Sequence, residues 1–144
     1  LVQFESELCN TAANVEKACR MIEEARGQDA DLVVLPELFS TGYQLNVVGP
    51  RITELAEPID GPTVSALRKA AAEASCYVVA GLALTHDLTG VVYNSSVIIG
   101  RDGSLLGHYD KQHLWALERF YFRSGCETPV FDTDFGRIGI MLAV

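Results

Sequence analysis

Apolar residues recur at Val15, Cys19, Ile22 and Ala25, at helical spacing, and predict an amphipathic helix over 10–26. Asn10 or Thr11 can cap its start, and Gly27 ends it. The pattern then changes. Asp31 to Leu35 is a short continuous apolar run, which suits a strand covered on both faces, and Pro36 closes it because proline cannot donate to a ladder. Val64, Leu67, Ala71 and Ala74 restore helical spacing over 62–74, with Pro62 suited to the first helical position. Strands are predicted next at 76–84, 91–99, 105–110 and 130–133. A turn over Asp87–Gly90 and an Asp102-Gly103 hairpin, both of whose residues would take positive φ, separate the first three. Leu1–Glu5 alternates like an opening strand, and the apolar stretch Phe135–Val144 reads as a buried terminal one.

Strand, helix, strand, helix, then a run of strands argues an α/β or α+β fold with one large sheet. The chain has 144 residues, 49% hydrophobic and 21% charged, as expected of one ordinary globular domain, or part of one, over 1–144. The terminal apolar run stops without a turn, cap or polar tail, so the reading is of a domain incomplete at its C-terminus. A formal net charge of −8 argues against nucleic acid or a membrane surface as partner. No stretch is apolar for long enough to span a bilayer, and no secretory signal is visible. Cys9, Cys19, Cys76 and Cys126 form no CxxC pair, which fits free thiols and a cytoplasmic location.

Two segments carry chemistry beyond the fold. Glu37 follows a buried strand and a proline, a place from which a carboxylate can face the end of a sheet. Burial there tunes such a group towards general-base work, although on spacing alone a solvated glutamate in a turn is the commoner case. Lys111 closes a strand and Glu118 follows seven residues later among bulky apolar side chains. Such a pair can hold a positive charge for a developing oxyanion, and a structural ion pair explains the spacing equally well. His86, His108 and His113 form no metal-ligand spacing in the sequence, and neither a metal nor another cofactor is expected. Cys9, Cys19 and Cys76 read as core filler rather than nucleophiles.

Taken in order, Leu35-Pro36-Glu37, Asp110-Lys111-x-His113-Leu114 with Glu118 and Arg119-Phe-Tyr-Phe122-x-x-Gly125, and Gly136-Arg-Ile-Gly-Ile-Met141 resemble the nitrilase superfamily of carbon–nitrogen hydrolases. The resemblance runs from the first strand to the last residue. It implies an α-β-β-α sandwich of which this chain carries the N-terminal part, and members that pair through helical faces as homodimers or higher homo-oligomers. It also implies a Glu-Lys-Cys triad, with Glu37 as general base, Lys111 as the oxyanion-stabilising cation and Glu118 as a second glutamate that helps position substrate and triad. The nucleophilic cysteine of the family falls at Ala143 in this chain.

Alanine leaves space but no nucleophile, so the chain as it stands is expected to bind substrate without turnover. A deliberate Cys→Ala replacement, a natural pseudoenzyme with a binding or regulatory role, and a shifted alignment each account for it. The retention of Glu37, Lys111 and Glu118 favours the first. The function implied is hydrolysis of a small, aliphatic or ω-amide to acid and ammonia through a cysteine thioester. A nitrilase or N-carbamoyl hydrolase is the alternative within the family. Tyr43 and Trp115 are the aromatic residues placed to shape a pocket for the small amide or nitrile, and packing of their own loops is the competing role.

Overall fold

The computed structural model describes residues 2–142. Its centre is β3 (Tyr77–Thr85), paired on one side with β1 (Leu32–Val34) in parallel and on the other with β4 (Val92–Ile99) in antiparallel fashion. β5 (Leu105–Asp110) extends the order to β1-β3-β4-β5, and β2 (Glu57–Pro58) adds a short parallel contact at the far end of β3. The parallel β1–β3 pair requires a crossover, and α4 (Pro62–Ala74) lies on it.

The helix α1 (Thr11–Arg26) packs with α4 on one face of the sheet. The Asn10 side chain accepts from the Ala13 N–H and so caps α1. The buried stripe of α1 is Asn14, Ala18 and Ile22, one position away from part of the expected stripe, while Val15, Cys19 and Ala25 are partly buried at its flank. Val64 and Leu67 of α4 meet Val78, Ala80, Leu82 and Leu84 of β3 in the main core. Each of these valine and leucine side chains contributes about 1.5–3 kcal/mol on leaving water. α4 ends where Ser75 turns left-handed at φ 54°.

The opposite face of the sheet is divided. Val79 and Ile98 meet Phe131, and nearer the other end Ala83 and Val92 meet Leu38, Leu114 and Phe122. Two short helices, α2 (Leu45–Val48) and α3 (Ile52–Leu55), joined by one 3-10 turn, supply Val48 and Ile52 to that second cluster. The sequence pattern predicts neither, because four-residue helices show no period.

Three local expectations are corrected. Val2–Glu5 forms no strand: exposure alternates along it, but its backbone makes a single bond to the sheet, Val2 N–H to the Val34 carbonyl at 3.3 Å. The β4–β5 turn takes positive φ only at Gly103 (78°), with a register shift between Ile98 and Ile99, so it is not the two-residue turn that Asp-Gly suggests. β7 (Gly136–Gly139) is not buried. It pairs with β6 (Val130–Thr133) as a separate two-stranded sheet, with one face to solvent, and Met141 beyond it is 86% exposed. An apolar run reads as buried wherever it falls, and here β6 is its one strand partner among the described residues.

Candidate active site

Lys111 and Asn94 reach the same place because β4 and β5 are in register there. Ser95 pairs with Asp110, and the next step of the ladder is the Lys111 N–H donating to the Asn94 carbonyl at 2.8 Å. Residues opposite each other project from the same face of a sheet. That places the Lys111 ammonium and the Asn94 amide side by side over the face away from α1 and α4.

Glu37 comes from the other direction. After β1 the chain keeps following β3, with Leu35 N–H bonded to the Val79 carbonyl and Phe39 N–H to the Gly81 carbonyl. It then turns at Leu38, whose φ is 49°. Gly81 makes this close passage possible. A β-carbon on it would lie 2.7 Å from Glu37 Cα and 2.9 Å from the Pro36 carbonyl oxygen. Glu118 begins the single turn α5 (Glu118–Tyr121), and the loop before it folds back at Ala116, whose φ is 43°.

These elements converge on one cluster. Lys111 Nζ lies 2.9 Å from Glu37 Oε1 and 2.9 Å from Glu118 Oε1. Asn94 Nδ2 donates to the same two oxygens, at 2.6 and 3.0 Å. The Tyr43 hydroxyl donates to Glu118 Oε1 at 3.1 Å, and the Trp115 backbone N–H to Glu118 Oε2 at 2.7 Å. Lys111 and Glu118 are buried, with side chains 3% and 0% exposed, whereas the Glu37 side chain is 22% exposed.

The two carboxylates therefore differ. Glu118 uses both oxygens and has four donors, so it is a fixed anion. Glu37 is held by one oxygen, and among the described residues its Oε2 accepts no hydrogen bond. A carboxylate anchored on one side and open on the other is the arrangement a general base needs. Burial pushes the Glu118 carboxyl up, but the Trp115 N–H, the Lys111 ammonium and the Tyr43 hydroxyl outweigh it and hold the group below the usual carboxylate value. Burial likewise pulls Lys111 down, and its bonds to Glu118 and Glu37 outweigh that and hold it above the usual lysine value. Burial and the Glu118 bond push the Tyr43 phenol up to about 12, so it stays a donor at neutral pH.

The structure brings together Glu37, Lys111, Glu118 and Tyr43. It brings the main chain of Trp115 to the cluster, while the residue as a whole is 66% exposed and lines a cavity of about 570 Å³ with His113 and Arg119. Ala143 lies outside the described residues. Asn94 is not singled out by the sequence pattern. The available signal was its polarity: Asn94-Ser95-Ser96 interrupts an otherwise apolar strand, and all three are buried. Its Oδ1 is buried without a hydrogen-bond partner, an open acceptor beside the two carboxylates. His86 and His108, distant in sequence, meet around Asp110 on the opposite face of the sheet.

Known proteins share this framework. The family model for carbon–nitrogen hydrolases matches residues 1–142. A nitrilase from Pyrococcus abyssi is 39% identical over 98% of this chain and 53% of its own length. The omega-amidase NIT2 of Homo sapiens is 33% identical over 88% of this chain and 48% of its own. The crystal structure of XC1258 from Xanthomonas campestris, a CN-hydrolase superfamily protein with an arsenic adduct in its active site, superposes with a TM-score of 0.83. It is 30% identical and covers 96% of this chain and 50% of that one. The chain thus spans about half the length of the relatives it matches. With its mixed sheet, its two-helix layer and a match running over nearly every residue, this chain belongs to the carbon–nitrogen hydrolase family, in the nitrilase superfamily.

Proposed function

We propose that this chain carries the Glu-Lys half of the catalytic apparatus of an amidase acting on a small aliphatic or ω-amide, with residue 143 as the nucleophile position. The single observation that carries the proposal is the buried Lys111 held between Glu37 and Glu118, with one Glu37 oxygen left open. An amide carbon is a poor electrophile, and a neutral thiol with a pKa near ~8.5 attacks it slowly. With cysteine at 143, Glu37 takes the thiol proton as sulfur bonds to the carbonyl carbon. Lys111 and the backbone N–H of residue 144 stabilise the oxyanion. Collapse breaks the C–N bond, and Glu37 returns the proton to the leaving ammonia. Water then attacks the thioester with Glu37 again as base, giving the acid and the free thiol. Glu118 and Asn94 hold Glu37 and Lys111 in place, and Tyr43 stands at the rim to contact substrate.

Alanine at 143 removes the nucleophile and leaves the rest, so the chain as it stands binds and does not turn over. The likeness to an omega-amidase supports the amide reading. The likeness to a nitrilase favours a second, in which a nitrile replaces the amide and a thioimidate precedes the thioester. Ammonia release from paired amides and nitriles by the Ala143→Cys full-length product separates them. Turnover of amides alone supports the first reading, and turnover of nitriles alone supports the second. Tight substrate binding without turnover in that variant would instead indicate a binding or regulatory protein on the same fold.

A further inference from the structure

His108 and Asp110 are two residues apart on β5 and so share a face, opposite to that of Lys111. His86 leaves β3 on that same side. His86 Nε2 lies 2.9 Å from Asp110 Oδ2, and His108 Nε2 lies 3.6 Å from it. One ligand atom from each of the three falls within 4.8 Å of the others. A tetrahedral zinc ion with bonds of about 2.0–2.1 Å sets neighbouring ligand atoms about 3.3 Å apart, and the two separations to Asp110 bracket that spacing.

The surroundings fit a cation. Ser95 Oγ donates to Asp110 Oδ1, which fixes the carboxylate and leaves Oδ2 directed at the two imidazoles. Outer hydrogen bonds of this kind orient metal-binding carboxylates. A cavity of about 310 Å³ opens on the cluster, and Asp87 and Glu127 line it as well. No lysine or arginine does so among the described residues. Two imidazoles and a carboxylate suit zinc and its neighbours, and three protein ligands leave one position open. We propose that His86, His108 and Asp110 form a binding site for a divalent metal ion of the zinc class, with its fourth position facing this cavity. The bound ion ties the exit of β3 to the end of β5, one residue before Lys111. Neither the open Glu37 oxygen nor residue 143 takes part, so the site stands or falls independently of the amidase reading.

The test is zinc binding to the tag-free full-length product, by competition with a chromophoric chelator, with no substrate present. One bound equivalent per chain is expected. Loss of a single outer hydrogen bond weakens metal sites by about 10–100-fold, so the double variant His86→Ala/His108→Ala should lose at least that much. If its circular dichroism shows misfolding, Asp110→Asn is measured in its place, with the same loss expected. Cys126, an exposed thiol on the same cavity, provides the control. Cys126→Ser should leave the affinity unchanged, and the cobalt-loaded protein should lack a thiolate charge-transfer band. Absence of a bound equivalent would overturn the proposal. So would unchanged affinity in a folded ligand variant, or a cobalt–thiolate band.

Discussion

Asn94 and Lys111 stand opposite each other across the β4–β5 ladder and direct their side-chain nitrogens at the same two carboxylate oxygens, Glu37 Oε1 and Glu118 Oε1. One is a neutral donor and the other a cation, so the site holds its two acids together with only one positive charge. A hydrogen bond to a charged group contributes about 1.5–3 kcal/mol. In the Ala143→Cys background, Asn94→Ala should therefore lower kcat roughly 10- to 100-fold with little change in KM, because Asn94 positions Glu37 rather than holding substrate. Steady-state kinetics check this, and Asn94→Gln should rescue less than the native residue because its longer side chain misplaces the amide. An equal rise in KM with kcat intact would place Asn94 on the substrate instead.

Removing Lys111 should cost stability as well as activity. Lys111→Met leaves the buried Glu118 facing Glu37 without the cation between them, and breaking a buried pair in this way costs about 3–5 kcal/mol. Urea unfolding of the full-length product should show a lower midpoint of that order. Lys111→Met/Glu118→Gln should recover part of it, since no unpaired charge then remains beside Glu37.

The same pair predicts a pH window. The Glu118 carboxyl is held below its ordinary value of 4.5, so its stabilisation is complete above that value in the unfolded chain and is lost as pH falls through the lower folded value. Lys111 is held above 10.5, so its share is complete below 10.5 and is lost as pH rises through the raised folded value. Unfolding midpoints measured against pH should fall at both extremes, and Glu118→Gln should remove most of the acid limb attributable to this site. An unchanged acid limb in that variant would assign it to other carboxylates.

Gly81 is a sharper probe of how the base is positioned. Its added β-carbon in Gly81→Ala would meet Glu37 Cα at 2.7 Å, backbone that cannot swing aside like a side chain. Overpacking of this kind costs about 1–3 kcal/mol. The variant should lose that much stability by denaturant titration and, with Ala143→Cys, a larger fraction of kcat than of substrate affinity.

Much of this arrangement is legible in the residues. Glu37 and Lys111 stand out because each terminates a strand of recognisable pattern, and a strand end is where a side chain leaves the core without reaching open solvent. The ordered motifs around them supply the family. Other parts depend on register. Asn94 is one polar residue in a buried run until its partner across the ladder is known. His86, His108 and Asp110 become neighbours only because β3, β4 and β5 are aligned residue by residue. Phe135–Val144 shows the reverse case: its apolar composition reads as a buried strand, but composition does not tell which neighbour covers it, and the strand within it, Gly136–Gly139, is largely exposed here.

The claim on which the functional account rests is that Glu37 and Lys111 are set to work with a nucleophile at residue 143. The most direct test is ammonia release from a panel of small amides by the full-length product, with residue 143 as alanine and in the Ala143→Cys variant. Release is expected only in the variant, abolished again by adding Glu37→Gln. Equal release by the alanine form, or silence from a folded Ala143→Cys variant that still binds the amides, would contradict it.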